Sequence, residues 1–514
     1  MKLNEAFART ARRYPDKRAI VTDDGLERSY AELNRRSTQL AEALQKRLGS
    51  TRCGVLSRNC PAAIEAMLAG NKRGIATVQI PFRASVGKVV EMTKTASTQG
   101  LIFDDTCADK ALSILDRGIV DTAIHVGNSE IANESVESYE TVLEGATPEL
   151  DPALPRDDEC AVLYTSGSTT TPKAVLFDQE QLWYGAIQGV MEHGIDEMDT
   201  ALCLTPWYHM ITTDAWLYPH FVAGATIVLQ PTFEPQQALH LLDRHRVTGL
   251  LAVPTQIRSL IDAAREGDYS VNSLSYLRTG GSTLTEDIVE ETTTQLCESL
   301  YNTYGMTEAG PDLTFAHPSA QSAHPGTVGK EAFTWEIRVV EPVALDENPD
   351  PEATVDSGER GEIIARGPGM ADGYIDNDQA EARTFFDGWL RTGDIADVDE
   401  DRYLYIIDRI DNMVISGGEN IYPKEVERIL EQHELVKETC VLGIDDDHWG
   451  EKVAAVVATC GGLTGADLEE FCIEHDNLAN FKHPRKYAFT KDRLPRSDTG
   501  TVRRETIADR YFDE

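Results

Sequence analysis

Positive charge is what this chain has least of. Its 48 Lys and Arg face 86 Asp and Glu, for a formal net charge of −38, and no Lys lies between Lys173 and Lys330. Such a surface repels phosphate backbones and anionic lipid, so nucleic acid and membrane are excluded as expected partners. The excess acid runs along the whole chain and is not gathered in one tail. That pattern favours a protein adapted to concentrated salt over an ordinary acidic cytosolic enzyme, because salt screens the self-repulsion.

Other absences narrow the class further. No run of about 20 apolar residues is present to span a bilayer. Residues 1–18 are charged throughout and lack an apolar core, so no signal peptide is expected. The nine Cys are scattered, with no CxxC pair and no Cys/His cluster of zinc spacing, which points to reduced thiols in a cytoplasm. There is no internal repeat of solenoid period and no long low-complexity segment.

What is present is an alternation of helix and strand patterns, at a length of 514 residues that calls for two or more domains. Helices are expected over 3–14, over 30–47 with Ser29 as N-cap, and over 61–69. Strands are expected over 54–56, 74–81, 101–103, 122–126, 161–163, 175–177, 226–229, 249–253 and 274–278. A linker rich in Pro and acid covers 144–158.

The chain is organised around residues 164–175, YTSGSTTTPKAV. Hydroxyls and backbone N–H groups freed by Gly167 suit phosphate oxygens, and Lys173 adds a positive charge. The Gly-Lys-Ser/Thr order of a Walker loop is absent, and on composition alone a solvated loop is the competing reading. In LCLTPWYHM (202–210), His209 ends a strand-like run; alone, it fits a packed histidine as well as a catalyst. Gly280-Gly281-Ser282-Thr283-Leu284 permits close backbone approach to a flat ligand, or simply a tight turn. In LYNTYGMTE (300–308), Tyr304 suits a base, Thr307 a phosphate and Glu308 a magnesium ion.

Taken together and in order, YTSGSTTTPKAV, GGSTL and YGMTE resemble the adenylate-forming (AMP-binding) superfamily of acyl-CoA synthetases, peptide-synthetase adenylation domains and luciferases. The resemblance continues through HPGTVGK (324–330), ERGEIIARGPGMADGY (359–374), GWLRTGD (388–394) and DRIDNMVISGGENIYPKEVE (408–427), and is weakest before Asp151. It implies an α/β fold: a large multi-layer N-terminal domain of mixed sheets with flanking helices over 1–408, and a small mobile α+β C-terminal lid over 409–514. The hinge would lie near Asp411.

The implied activity is an AMP-forming acid–thiol ligase. ATP and a carboxylic acid form an acyl-adenylate, and CoA then takes the acyl group, with ATP, Mg2+ and CoA as cofactors or co-substrates. By the resemblance Thr165, Ser166, Gly167, Ser168, Thr169, Thr170 and Lys173 hold the β- and γ-phosphates. Gly281, Ser282, Thr283, Asn302, Thr303, Tyr304, Gly305 and Met306 line the nucleotide, Thr307 meets the α-phosphate and Glu308 holds magnesium. Asp394 takes the ribose hydroxyls beside Arg409, His209 sits at the acyl pocket, and Ser416, Gly417 and Gly418 admit the pantetheine arm. The acid is expected to be a neutral aliphatic (fatty) or aryl acid, shaped by residues 207–216 with Val253 and Gly280. A homodimer is left open.

The chain departs from the family at three positions. Thr170 and Ala174 stand where the family usually has Gly. Thr501 stands where it carries its catalytic Lys, with Arg503, Arg504, Lys491 and Lys482 as substitute cations. Two alternatives follow: an adenylating enzyme serving a carrier-protein thiol, and a nucleotide-binding homologue impaired in adenylation by Thr501.

Overall fold

A computed structural model describes all residues except 49–51, 151–157, 166–171, 283, 447, 476–477, 497–501 and 513–514. Its fold is α/β. The chain divides into two compact units. The larger holds the described residues of 1–337 together with 365–390, and the smaller those of 338–364 with 391–514.

The larger unit is built on two sheets. In the nine-stranded sheet, six neighbouring strands run parallel: Leu300–Gly305, Tyr276–Gly280, Gly249–Leu251, Thr200–Cys203, Thr226–Leu229 and Arg18–Thr22. Short antiparallel strands close both edges. Runs such as Thr226–Leu229 and Gly249–Leu251 are buried at every residue, as strands covered on both faces must be. The seven-stranded sheet is parallel up to Glu159–Tyr164, which pairs antiparallel with Ala174–Asp178. That hairpin carries the Ser/Thr-rich stretch at its turn.

Helices cover the sheets because their apolar residues recur at helical spacing. Leu3–Arg13 buries Leu3, Ala6, Phe7, Thr10 and Ala11 on one face. Phe7 packs edge-on against Phe221, ring centroids 6.1 Å apart, and Tyr30 closes the group. Truncating Phe7 to Ala would cost about 3–5 kcal/mol.

Ser29 serves as expected at the start of Tyr30–Leu48, its hydroxyl accepting from the Glu32 N–H at 3.2 Å. The helix expected over 61–69 runs on to Arg73, and Gly74 closes it in the left-handed region at φ 69°. The strand expected from Gly74 is therefore only Thr77–Gln79. Pro254 opens a helix, which ends the strand expected over 249–253 at Leu251.

In the smaller unit, residues 394–398 pair antiparallel with Leu404–Arg409. A separate sheet joins Glu419–Ile421, Val414–Ser416, Gly450–Thr459, Val436–Asp446 and Lys486–Thr490. Pro423–Leu430 packs Val426 and Leu430 into its core. Asp408, fully buried, joins the end of one strand to that helix. Its carboxylate accepts from the Arg409 and Lys424 backbone N–H groups, at 2.7 Å each, and from Asn412 at 2.8 Å. No helix among the described residues is long and apolar enough to cross a membrane.

Candidate active site

Three of the motifs leave the same sheet in the same direction. Strands Thr200–Cys203, Tyr276–Gly280 and Leu300–Gly305 are parallel, so the segments that follow them emerge along one edge: residues 206–210, Gly281-Ser282 and 306–308. Ligands of open α/β sheets bind at this carboxyl edge.

Glycine is required at two of these points. A Cβ at Gly305 would lie 1.9 Å from the Pro311 carbonyl oxygen, and Gly281 sits at φ 76°, where side chains are strained. Gly281 and Ser282 are exposed, while Thr283 lies outside the described residues.

Asn302 and Thr303 are buried and face inward. Asn302 donates to the Thr327 carbonyl at 2.9 Å, and the Thr303 hydroxyl donates to the Thr279 carbonyl at 3.3 Å. These two therefore fix the strand end. Tyr304, Gly305, Met306 and Thr307 are half-buried, and the chain turns at Thr307–Ala309.

Glu308 is buried, and its carboxylate accepts a hydrogen bond from the Tyr374 hydroxyl. Lys173 holds its ammonium 4.9 Å from the centroid of the same tyrosine ring. Backbone contacts reinforce the junction: Ala371 N–H donates to the Glu308 carbonyl at 2.9 Å, and Ile375 N–H to the Ala174 carbonyl at 2.9 Å. Tyr374 thus joins the cation closing the Ser/Thr-rich stretch to the carboxylate of YGMTE. Tyr374 lies within ERGEIIARGPGMADGY, where nothing local marks it for this role. Its only sequence signal is an aromatic residue after Gly373.

At the other side of the stretch, Thr165 N–H donates to the Lys173 carbonyl at 3.0 Å. The buried Thr165 hydroxyl has no hydrogen-bond partner among the described residues, which fits a hydroxyl kept for a ligand oxygen. Residues 166–170, expected to hold phosphate, lie outside the described residues. Glu308 is the carboxylate that the segment 306–308 brings to this edge, and no group of three or more metal-ligating side chains occurs among the described residues. A single carboxylate suits magnesium, which keeps most of its waters and takes the rest of its shell from phosphate.

His209 is half-buried and caps the short helix Met210–Thr212. Burial, helped by the Arg83 charge, pushes its imidazole down to about 4, so it is neutral near pH 7. The helix continues into a π-helical turn, Thr213–Leu217. Ile211 reaches toward Gly280: its Cδ1 lies 3.5 Å from where a Gly280 Cβ would be.

In the smaller unit, Asp394 and Arg409 are direct cross-strand partners, with guanidinium and carboxylate 3.7 Å apart. Gly393, at φ 71°, leaves room for Arg409, whose nearest nitrogen would be 3.0 Å from a Cβ there. Arg409 also donates to the Thr392 carbonyl at 3.0 Å and to Asp411 at 3.4 Å. Ser416 is half-buried; Gly417 and Gly418 are exposed at φ 60° and 88°. A Cβ at Gly417 would strike the Trp449 ring at 2.6 Å, so Trp449, 32 positions on and without a local signal, is a neighbour of this turn.

Thr501 lies outside the described residues. Of its four substitute cations, two are already engaged. Lys482 donates to both oxygens of Glu425 at 2.8 Å, and Arg504 is held by Glu427 and by the Val441 carbonyl at 2.6 Å. Arg503 and Lys491 are exposed.

This architecture, with its three motifs on one sheet edge, is that of a nucleotide-using α/β enzyme. Comparison with known proteins identifies the family. The family model for the AMP-binding enzyme matches residues 7–375, and that for the AMP-binding enzyme C-terminal domain matches 425–501. A feruloyl-CoA synthase from Amycolatopsis sp is 30% identical over 506 residues, covering 98% of each chain. Among solved structures, ATP-bound MatB from Rhodopseudomonas palustris superposes with a TM-score of 0.87 at 26% identity, covering 100% of this chain and 99% of that one. The o-succinylbenzoate CoA synthetase of Bacillus subtilis, solved with its acyl-adenylate intermediate, gives 0.83 at 27% identity and 98% coverage of both. The chain belongs to the AMP-binding enzyme family.

Proposed function

We propose that this chain is an AMP-forming acid–thiol ligase, which activates a carboxylic acid with ATP, releases pyrophosphate and passes the acyl group to CoA. The observation that carries the proposal is the Lys173–Tyr374–Glu308 arrangement. It brings a cation and a carboxylate to one tyrosine at the edge where the nucleotide motifs emerge. The relatives support it: they are named as CoA synthases and ligases, and one is solved with an acyl-adenylate. They give no support to a homologue that has lost adenylation.

In this reading a carboxylate attacks the α-phosphorus of a polyanion, so the chain's task is to hold charge and geometry. Lys173 and the Thr165 hydroxyl take phosphate oxygens, and Thr307 the α-phosphate. Glu308 holds magnesium, which supplies neutralisation of phosphate charge when bound. Tyr374 fixes the Glu308 carboxylate. His209, uncharged, stands beside the acid without competing as a cation for its carboxylate. Asp394 accepts from the ribose hydroxyls, with Arg409 beside it.

The 1–408 and 409–514 domains, with a hinge at Asp411, belong to the same proposal. A cytoplasmic setting, consistent with nine free cysteines, and a homodimeric assembly, which light scattering would test, are further parts of the proposal. The relatives named for feruloyl, succinylbenzoate and indoleacetate substrates favour an aryl acid over an alkyl one.

The test is magnesium-dependent pyrophosphate release in potassium chloride, across short, medium and aryl acids, with and without CoA. Release that depends on an aryl acid and turns over with CoA is expected. No release with any acid in the presence of CoA would refute the ligase assignment.

A further inference from the structure

Arg278 is fully buried, and it stands two residues before Gly280 on the strand Tyr276–Gly280. Its guanidinium reaches three other elements. One nitrogen donates to the Ala215 carbonyl at 2.6 Å. The other donates to both oxygens of Asp312, at 2.6 Å each, and to the Thr303 hydroxyl at 3.3 Å. Asp312, 4% exposed, begins the antiparallel strand Asp312–Ala316, which pairs with Leu300–Gly305.

The Ala215 contact has a covalent cause. Four residues on stands Pro219, which has no N–H to give that carbonyl in an α-helix. Ala215 lies in the π-helical turn Thr213–Leu217, and the next carbonyl, that of Trp216, also meets a side chain, the His220 ring at 2.5 Å. Within the same turn the buried Asp214 has neither carboxyl oxygen hydrogen-bonded among the described residues. The turn therefore does not satisfy itself. Part of its bonding is to groups outside it: the Trp216 indole donates to the Leu202 carbonyl at 3.1 Å, and Arg278 connects the turn to the Gly280 and Thr303 strand ends.

The same helix carries Ile211, which faces Gly280. We infer that Arg278, with Asp312, is a positioning residue for the acid: by holding the π turn it fixes the distance between the helix after His209 and the Gly280–Thr303 strand ends, and so selects which acids fit. A buried ion pair of this kind is often no more stabilising than an apolar pair, so stability alone does not account for Arg278 and Asp312.

The inference rests on the proposed function, and the test separates the two. Wild type, Arg278→Met, Arg278→Lys and Asp312→Asn are assayed for pyrophosphate release over a panel of aryl acids differing in length. Arg278→Met is expected to raise the KM for the acid about tenfold or more and to reorder kcat/KM across the panel, with the KM for ATP changed less than about twofold. Arg278→Lys, able to reach either Ala215 or Asp312 but not both, is expected to restore part of the order. A crystal structure of Arg278→Met or Arg278→Lys should show residues 213–217 shifted or rewound.

Variants that melt earlier but keep the acid KM and the rank order would overturn the inference, leaving Arg278 a structural residue. So would a π turn unchanged in the variant crystal. Should wild type turn over no acid, the ligase reading fails, and the crystal decides whether Arg278 holds the turn.

Discussion

Tyr374 donates its phenolic hydrogen to Glu308 while its ring faces the Lys173 ammonium at 4.9 Å. Two groups of opposite charge, both assigned to the nucleotide, are thus placed by one side chain that carries no charge itself. Replacing Tyr374 by Phe keeps the ring for Lys173 and removes only the hydroxyl. The Glu308 carboxylate then loses a donor in a buried place, worth about 1–3 kcal/mol. Pyrophosphate release by Tyr374→Phe should fall about tenfold, with the magnesium concentration for half-maximal rate raised and the melting temperature lowered by at most a few degrees. A variant with wild-type magnesium dependence would show that Tyr374 does not position Glu308.

How much of this was legible beforehand follows from how local each signal is. The helix Leu3–Arg13 and the capped start of Tyr30–Leu48 depend on spacing within one segment, and both could be read. Gly74 could be taken for a strand residue because its cap role depends on where the preceding helix stops. The nucleotide motifs were legible as strings, but that Asn302 and Thr303 turn inward was not, since their partners Thr327 and Arg278 lie elsewhere in the chain. Tyr374 and Arg278 escaped for the same reason. Tyr374 meets Glu308 across 66 positions, and Arg278 meets Asp312 across 34 and Ala215 across 63. An arginine at the end of a strand pattern reads as a surface residue until its carboxylate partner is known.

Lys72 gives a pH signature. Its ammonium is buried among the Asn34 carbonyl, Ser37 and Thr38 at 2.7–2.8 Å, and burial lowers it from 10.5 to about 7. Between those values the unfolded chain holds a proton that the folded chain releases. Stability from this group therefore rises with pH across the window of 7 to 10.5, and below it the full cost of burying the charge is present. Melting temperatures measured at pH 7, 8, 9 and 10 should separate wild type from Lys72→Met, the variant losing this upward slope. Parallel curves for the two proteins would refute the assignment.

The net charge of −38 makes a second solution prediction. Self-repulsion between exposed carboxylates decays over a Debye length of about 10 Å at 0.1 M salt and about 3 Å at 1 M. Raising potassium chloride from 0.1 M to about 2 M should therefore raise the melting temperature by about 5 °C or more. The ion pairs most exposed to salt, such as Arg258–Asp287, contribute too little to reverse that trend. A melting temperature that falls with salt would remove the case for adaptation to concentrated salt.

Thr501 supplies the sharpest test of the chemistry. A threonine cannot neutralise charge in the adenylation step, whereas a lysine at that place in the sequence can. Thr501→Lys should raise acid-dependent pyrophosphate release about tenfold or more, while acyl transfer from a supplied acyl-adenylate to CoA stays within about twofold. The competing account is a substitute cation. Lys482 and Arg504 are tied to Glu425 and Glu427, which leaves Arg503 and Lys491, both exposed, as the groups to remove. If Arg503→Ala or Lys491→Ala abolishes release and Thr501→Lys restores it in that background, the chain has moved its catalytic charge along this segment, by two positions to Arg503 or by ten to Lys491. If Thr501→Lys changes nothing in either background, adenylation here does not depend on a cation from this segment, and Lys173 must carry more of the phosphate charge than the family resemblance implies.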